Sequence, residues 1–60
     1  MKNIVEGTLK ELGFSKRANM WMLNGFALQT IKGHTWVLSK ANRENKDVKT
    51  IEDIIAYMNE

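Results

Sequence analysis

The sequence contains no cysteine, and its only histidine is His34. Small domains often compensate for a limited core with disulfides or a structural metal, and this chain of 60 residues has the side chains for neither. We therefore expect no metal and no cofactor. Tight apolar packing and association with another chain remain as sources of stability.

Long apolar runs are also absent. The longest runs contain four or five residues, whereas a membrane-spanning helix needs about 18. The N-terminus also lacks the apolar region of a signal peptide. Hydrophobic residues make up 43% of the chain and charged residues 27%, as in ordinary globular domains. We expect one domain over residues 1–60, located in the cytoplasm and not bound to a membrane.

The net charge is only +2, but its distribution is uneven. Residues 13–43 carry five basic and no acidic side chains, whereas residues 44–60 carry five acidic and two basic ones. A basic middle is thus followed by an acidic end.

Two helices are predicted at the ends of the chain. At the N-terminus, Asn3 is a candidate N-cap for an apolar stripe that ends at Gly13. At the C-terminus, Thr50 and Asp53 occupy the positions of a capping box. The stripes that define these helices are Ile4, Val5, Leu9 and Leu12, and Ile51, Ile54, Ile55 and Met58.

Between them, Asn24-Gly25 separates two apolar runs and predicts a β-hairpin with a type I′ turn. We place strands at residues 18–23 and 26–32, and a third at 35–39 after the turn at Gly33. Residues 15–17 are interpreted as a connection and residues 41–49 as a loop. The predicted fold is α+β with the order α-β-β-β-α, a three-stranded antiparallel meander packed against both helices.

The two-residue turn sets Leu23 opposite Phe26 and Trp21 opposite Leu28, so these side chains share one face. A three-residue second loop adds Trp36 and Leu38 to that face. The other face then receives Met20, Met22, Ala27, Gln29, Ile31 and Val37. This second face is unusually apolar for an antiparallel sheet. Either one helix covers each face, or the third strand has another register, or the face binds a partner.

Under the last interpretation, the candidate residues for binding a protein, or a second copy in a homodimer, are Met20, Met22, Ile31 and Val37. No catalytic set is evident. His34 lies in a turn with only Thr30 and Thr35 as nearby hydroxyls, and Glu52 and Asp53 fit helix capping better than acid–base chemistry. We predict that the chain is not an enzyme.

A nucleic-acid site is the alternative. Antiparallel geometry predicts that Lys16, Arg17, Lys32 and His34 lie near one edge of the sheet, where they could contact phosphates while Trp36 or Trp21 stacks on bases. A solvated basic rim explains the same pattern.

The predicted α-β-β-β-α order is similar to that of double-stranded RNA-binding domains and of HicA-type toxins. The first family carries a lysine-rich start of its second helix, where this chain has Thr50-Ile51-Glu52-Asp53. HicA-type toxins carry a histidine after the first strand, whereas His34 follows the second predicted strand. The second resemblance implies, as a remote alternative, a small RNase that uses His34.

Our leading hypothesis is therefore a small non-enzymatic protein-binding or regulatory module, such as an accessory or inhibitor protein of a phage or bacterium. Nucleic-acid binding through the basic middle is the second hypothesis.

Overall fold

The computed structural model describes residues 2–60, and these form one antiparallel sheet with two helices. In chain order, the elements are α1 (Glu6–Leu12), β1 (Ser15–Arg17), β2 (Met20–Leu23), β3 (Phe26–Ile31), β4 (Thr35–Lys40), β5 (Lys46–Val48) and α2 (Ile51–Met58). Each strand pairs with the next, so the sheet order is β1-β2-β3-β4-β5. The α+β class is confirmed. The three-stranded meander is not, because the sheet has five strands, and the α-β-β-β-α order behind the resemblances is absent too.

The two additional strands form the edges of the sheet. β1 replaces the predicted connection at residues 15–17 and pairs Lys16 with Trp21 across a turn at Ala18-Asn19. β2 consequently begins at Met20 and not at Ala18. β5 lies within the predicted loop at residues 41–49, and Val48 is its one buried residue. Edge strands can be polar because most of their surface faces solvent, so they lack the apolar pattern that marks central strands.

The central hairpin has the predicted turn and register. Asn24 and Gly25 have φ values of 51° and 85°, the positive values that a type I′ turn requires at both positions. Trp21 pairs with Leu28, and Leu23 pairs with Phe26. The second loop spans three residues, between Ile31 and Thr35.

The helix ends agree with the prediction except at the N-terminus. Gly13 ends α1 with a φ of 106°, and Thr50 and Asp53 form the predicted capping box of α2. Asn3, however, does not cap α1, because it pairs with Thr50 in an isolated β-bridge. The N-cap is Val5, and the backbone N–H of Val5 donates to the Thr8 hydroxyl at 3.1 Å.

Both helices pack on the same face of the sheet. Leu9 of α1 and Ile54 of α2 are fully buried in one cluster with Trp21, Leu28 and Leu38. Tyr57 also belongs to this cluster, although the apolar stripe of α2 did not include it. Conversely, Ile55 was predicted to be in the core and is 39% exposed. Within residues 2–60, neither helix has the length and hydropathy needed to cross a membrane.

Candidate functional site

The face of the sheet opposite the helices is formed by alternate strand residues, and we call it the open face. Its members are Ser15, Arg17, Met20, Met22, Ala27, Gln29, Ile31, Thr35, Val37, Ser39 and Asp47. Within residues 2–60, no helix lies on it, because the buried residues of α1 and α2 belong to the cluster on the other face. The first two explanations of the apolar second face, a helix on each side or another register, are therefore wrong.

The apolar side chains of the open face differ in how exposed they are to solvent, and therefore in how accessible they are to a partner. Ile31 is 47% exposed, and Met20 and Met22 are half-buried. Val37 is only 6% exposed. The structure thus brings all four candidate residues to one face, where Ile31 and the methionines offer the accessible contact area.

Among the strand residues of the open face, the only charged side chains are Arg17 and Asp47. They stand in the same cross-strand row at opposite edges. Arg17 pairs with Met20, and the register of β2 and β3 places Met20 opposite Gln29. Gln29 pairs with Val37, and Val37 pairs with Asp47. Four strand spacings separate the two edge residues, about 19 Å. Among residues 2–60, neither side chain forms an ion pair.

A cleft of about 490 Å³ lies beside four residues of the helix-side face, Lys16, Trp21, Thr30 and Trp36. Asn19 of the turn between β1 and β2 and Gln29, an open-face residue, complete its lining. The Lys16 ammonium lies 5.9 Å from the centroid of the Trp21 ring. Trp21 is 6% exposed and cannot stack on a ligand, whereas Trp36 is half-buried.

The basic candidates share one end of the sheet but not one surface. Lys16 and Arg17 are neighbours on β1 and therefore point to opposite faces. Lys32 and His34 lie exposed in the turn between β3 and β4. Arg43 is elsewhere, packed against the aromatic rings of Phe26 and Tyr57. The basic side chains therefore do not form one patch. Lys16 lies at the cleft, Arg17 lies on the open face, and Arg43 packs against core aromatic rings.

The titratable residues supply little chemistry. Among the described residues, the His34 ring takes part in no ion pair, and no group of three histidine or carboxylate side chains could hold a metal. The pKa of Glu52 is lowered by hydrogen bonds from its own backbone N–H and from that of Lys2. The pKa of Asp53 is lowered mainly by the backbone N–H of Lys49, followed by that of Thr50. Both carboxylates thus accept backbone hydrogen bonds at the start of α2. The RNase alternative, which uses His34, stays a prediction.

We compared the chain with known protein families, curated proteins and solved structures. No protein-family model, no curated protein and no solved structure matches this chain.

Proposed function

We propose that this chain is a non-enzymatic protein-binding module of the cytoplasm that regulates or inhibits a partner by covering it with the open face. The observation that carries the proposal is the exposure of Ile31, at 47%, together with accessible Met20 and Met22 on an uncovered sheet face. Antiparallel sheets with one solvated face normally place polar residues on that face, so an apolar patch of Met20, Met22 and Ile31 there favours contact with something other than water.

The composition of the face supports protein contact in particular. Methionine side chains are flexible and polarizable and adapt to irregular apolar surfaces. The polar residues Gln29, Thr35 and Ser39 lie among the apolar ones, and such mixing is typical of interfaces that also exist in water. A role as an accessory or inhibitor protein of a phage or bacterium fits a small chain of this kind.

The experiment compares the parent with Met22→Glu, which places a charge on the open face. Sedimentation over a range of concentrations measures self-association, and affinity capture from an extract of the producing organism identifies other partners. We expect one of these interactions for the parent and its loss in Met22→Glu. Lys46→Glu, on the helix-side face of β5, is the matched control.

Two results would contradict the proposal. One is a parent that remains monomeric and captures no protein. The other is a partner that binds the parent and Met22→Glu equally, since the contact would then lie elsewhere. Circular dichroism and urea denaturation of each variant show whether it is folded.

The helix-side cleft favours nucleic-acid binding as a second candidate function. It combines the Lys16 ammonium with the partly accessible Trp36 ring and the hydroxyl of Thr30, next to the turn that carries Lys32 and His34. A cation beside an aromatic surface can hold one phosphate and one stacked base.

Titration with labelled single-stranded RNA and DNA at low and raised salt tests this candidate. If the cleft binds, affinity falls steeply with salt because counterions are released. Trp36→Ala and Lys16→Ala then weaken binding more than Lys46→Ala, which removes a charge outside the cleft. Absence of binding at low salt would contradict it.

A further inference from the structure

We propose that the open face binds a second copy of this chain across a twofold axis parallel to the strands, so that Arg17 of each copy pairs with Asp47 of the other. This inference rests on the proposed function, because it names the partner of the same surface.

The placement of the two charges supports this geometry. The open face carries one positive side chain on its first edge strand and one negative side chain on its last, in the same row. About 19 Å separates them, too far for a pair within one chain. When two such faces meet about a twofold axis that runs along β3, β1 of one copy lies over β5 of the other. Arg17 then faces Asp47 of the partner subunit, and the contact occurs twice because the interface is isologous.

The other way of stacking the faces places like charges together. With the twofold axis perpendicular to the strands, β1 lies over β1, and each Arg17 faces the partner's Arg17. The charges of the face therefore favour one of the two symmetric arrangements and disfavour the other.

The residues of β3 that the axis crosses are compatible with meeting their own copies. Ala27 is small, and Gln29 can both donate and accept a hydrogen bond across the axis. Ile31, at 47% exposure, would be removed from water against the partner's Ile31. Met20 on β2 comes to lie over the partner's Val37 on β4, and Met22 comes to lie over the partner's Ser39.

The size of the face predicts a weak dimer. Five strands at their usual spacing make a surface roughly 20 Å across in each direction, so a dimer buries on the order of 1,000 Å² in total. Stable complexes generally bury more than about 1,200 Å². We expect a dissociation constant in the micromolar range, which requires sedimentation measurements up to high protein concentration.

Charge reversal tests the geometry directly. Arg17→Asp alone and Asp47→Arg alone each turn two attractive contacts into repulsive ones, and we expect each to weaken the dimer by at least about tenfold at low salt. The double variant should restore the parent's dissociation constant to within about threefold. An equimolar mixture of the two single variants should form heterodimers, because each supplies the charges that the other lacks. Lys16→Asp makes the same charge change on the helix-side face of β1 and should leave the dimer unchanged.

A crosslinking measurement checks the position of the axis. The chain has no cysteine, so Gln29→Cys creates a single thiol beside the axis, about one sheet spacing of 10 Å from its copy. A bifunctional maleimide of that length should join two Gln29→Cys chains, whereas Thr30→Cys, on the opposite face, should remain uncrosslinked.

A parent that stays monomeric at all concentrations, or a dimer that is unaffected by both single reversals, would overturn the inference. In either case the capture experiment decides the broader proposal separately. If another protein binds the parent but not Met22→Glu, the open face is still a binding surface, and only its occupant is different.

Discussion

The guanidinium carbon of Arg43 lies 4.1 Å from the centroid of the Tyr57 ring, so the charged group is stacked on a core aromatic residue. An Arg43 N–H also donates to the Tyr57 carbonyl at 2.8 Å, and the Tyr57 hydroxyl donates to the carbonyl of Glu44. Together these contacts join the loop between β4 and β5 to the C-terminal end of α2. Arg43, one of the five basic side chains of residues 13–43, therefore has a structural role.

Arg43→Ala should lower the free energy of unfolding by about 1–2 kcal/mol, because it removes a cation–π contact and a charge-assisted hydrogen bond. Urea denaturation measures the effect. Lys46→Ala is the control, since this exposed lysine of β5 forms no ion pair within residues 2–60. An effect of Arg43→Ala no larger than that of the control would show that the stacked arrangement does not stabilise the fold.

Ala18 is strained in the turn between β1 and β2. Its φ is 53°, in the left-handed region that a side chain with a Cβ disfavours by roughly 1–2 kcal/mol. Glycine adopts this conformation without that cost, although it also increases the entropy of the unfolded chain. We therefore expect Ala18→Gly to raise the free energy of unfolding by about 0.5–1 kcal/mol in urea denaturation. A decrease would contradict the assigned turn.

The sequence was sufficient for the parts of the fold that have strong local signals. Asn24-Gly25 predicted both the turn and the register, and Thr50 and Asp53 predicted the start of α2. The edge strands were missed because Ser15–Arg17 is exposed throughout and β5 buries only Val48. These strands are held by backbone pairing with β2 and β4 and not by an apolar pattern of their own.

The candidate site was predictable to the same extent. Register alone placed Met20, Met22, Ile31 and Val37 on one face, since β-strand side chains alternate. Whether that face was covered depended on which side the helices packed, and a helical stripe does not specify this. The row from Arg17 to Asp47 could not be recognised, because both residues lie in strands that the sequence did not reveal.

Glu52 and Asp53 should make stability depend on acidity. Their pKa values are lowered from 4.5 and 3.8 by backbone N–H groups, those of Glu52 and Lys2 for the first and those of Lys49 and Thr50 for the second. The folded state therefore favours the charged carboxylates. Their contribution is present above these values and is lost as the pH falls through the lowered ones.

We therefore expect the double variant Glu52→Gln, Asp53→Asn to be less stable than the parent at neutral pH, with the difference closing progressively below about pH 4.5. Urea midpoints measured across this range provide the comparison. A difference that stays constant with pH would indicate that the carboxylate charges do not contribute.

The last prediction separates the residues that hold the fold from those that are free to bind. Leu28 is fully buried between Trp21 and Leu38 in the cross-strand register, whereas Ile31, on the same strand, faces outward at 47% exposure. Leu28→Ala should cost about 2–5 kcal/mol because it leaves a cavity. A domain of this size has little stability to spare, so the variant should be largely unfolded.

Ile31→Thr keeps a β-branched side chain and leaves no cavity, so the free energy of unfolding should change by less than about 0.5 kcal/mol. Circular dichroism and urea denaturation of the two variants give the comparison. If Ile31→Thr destabilises the domain as strongly as Leu28→Ala, the isoleucine belongs to the core and the apolar open face is explained by folding alone. If its stability is unchanged, the fold does not require this apolar group, which is the result that the proposed binding surface needs.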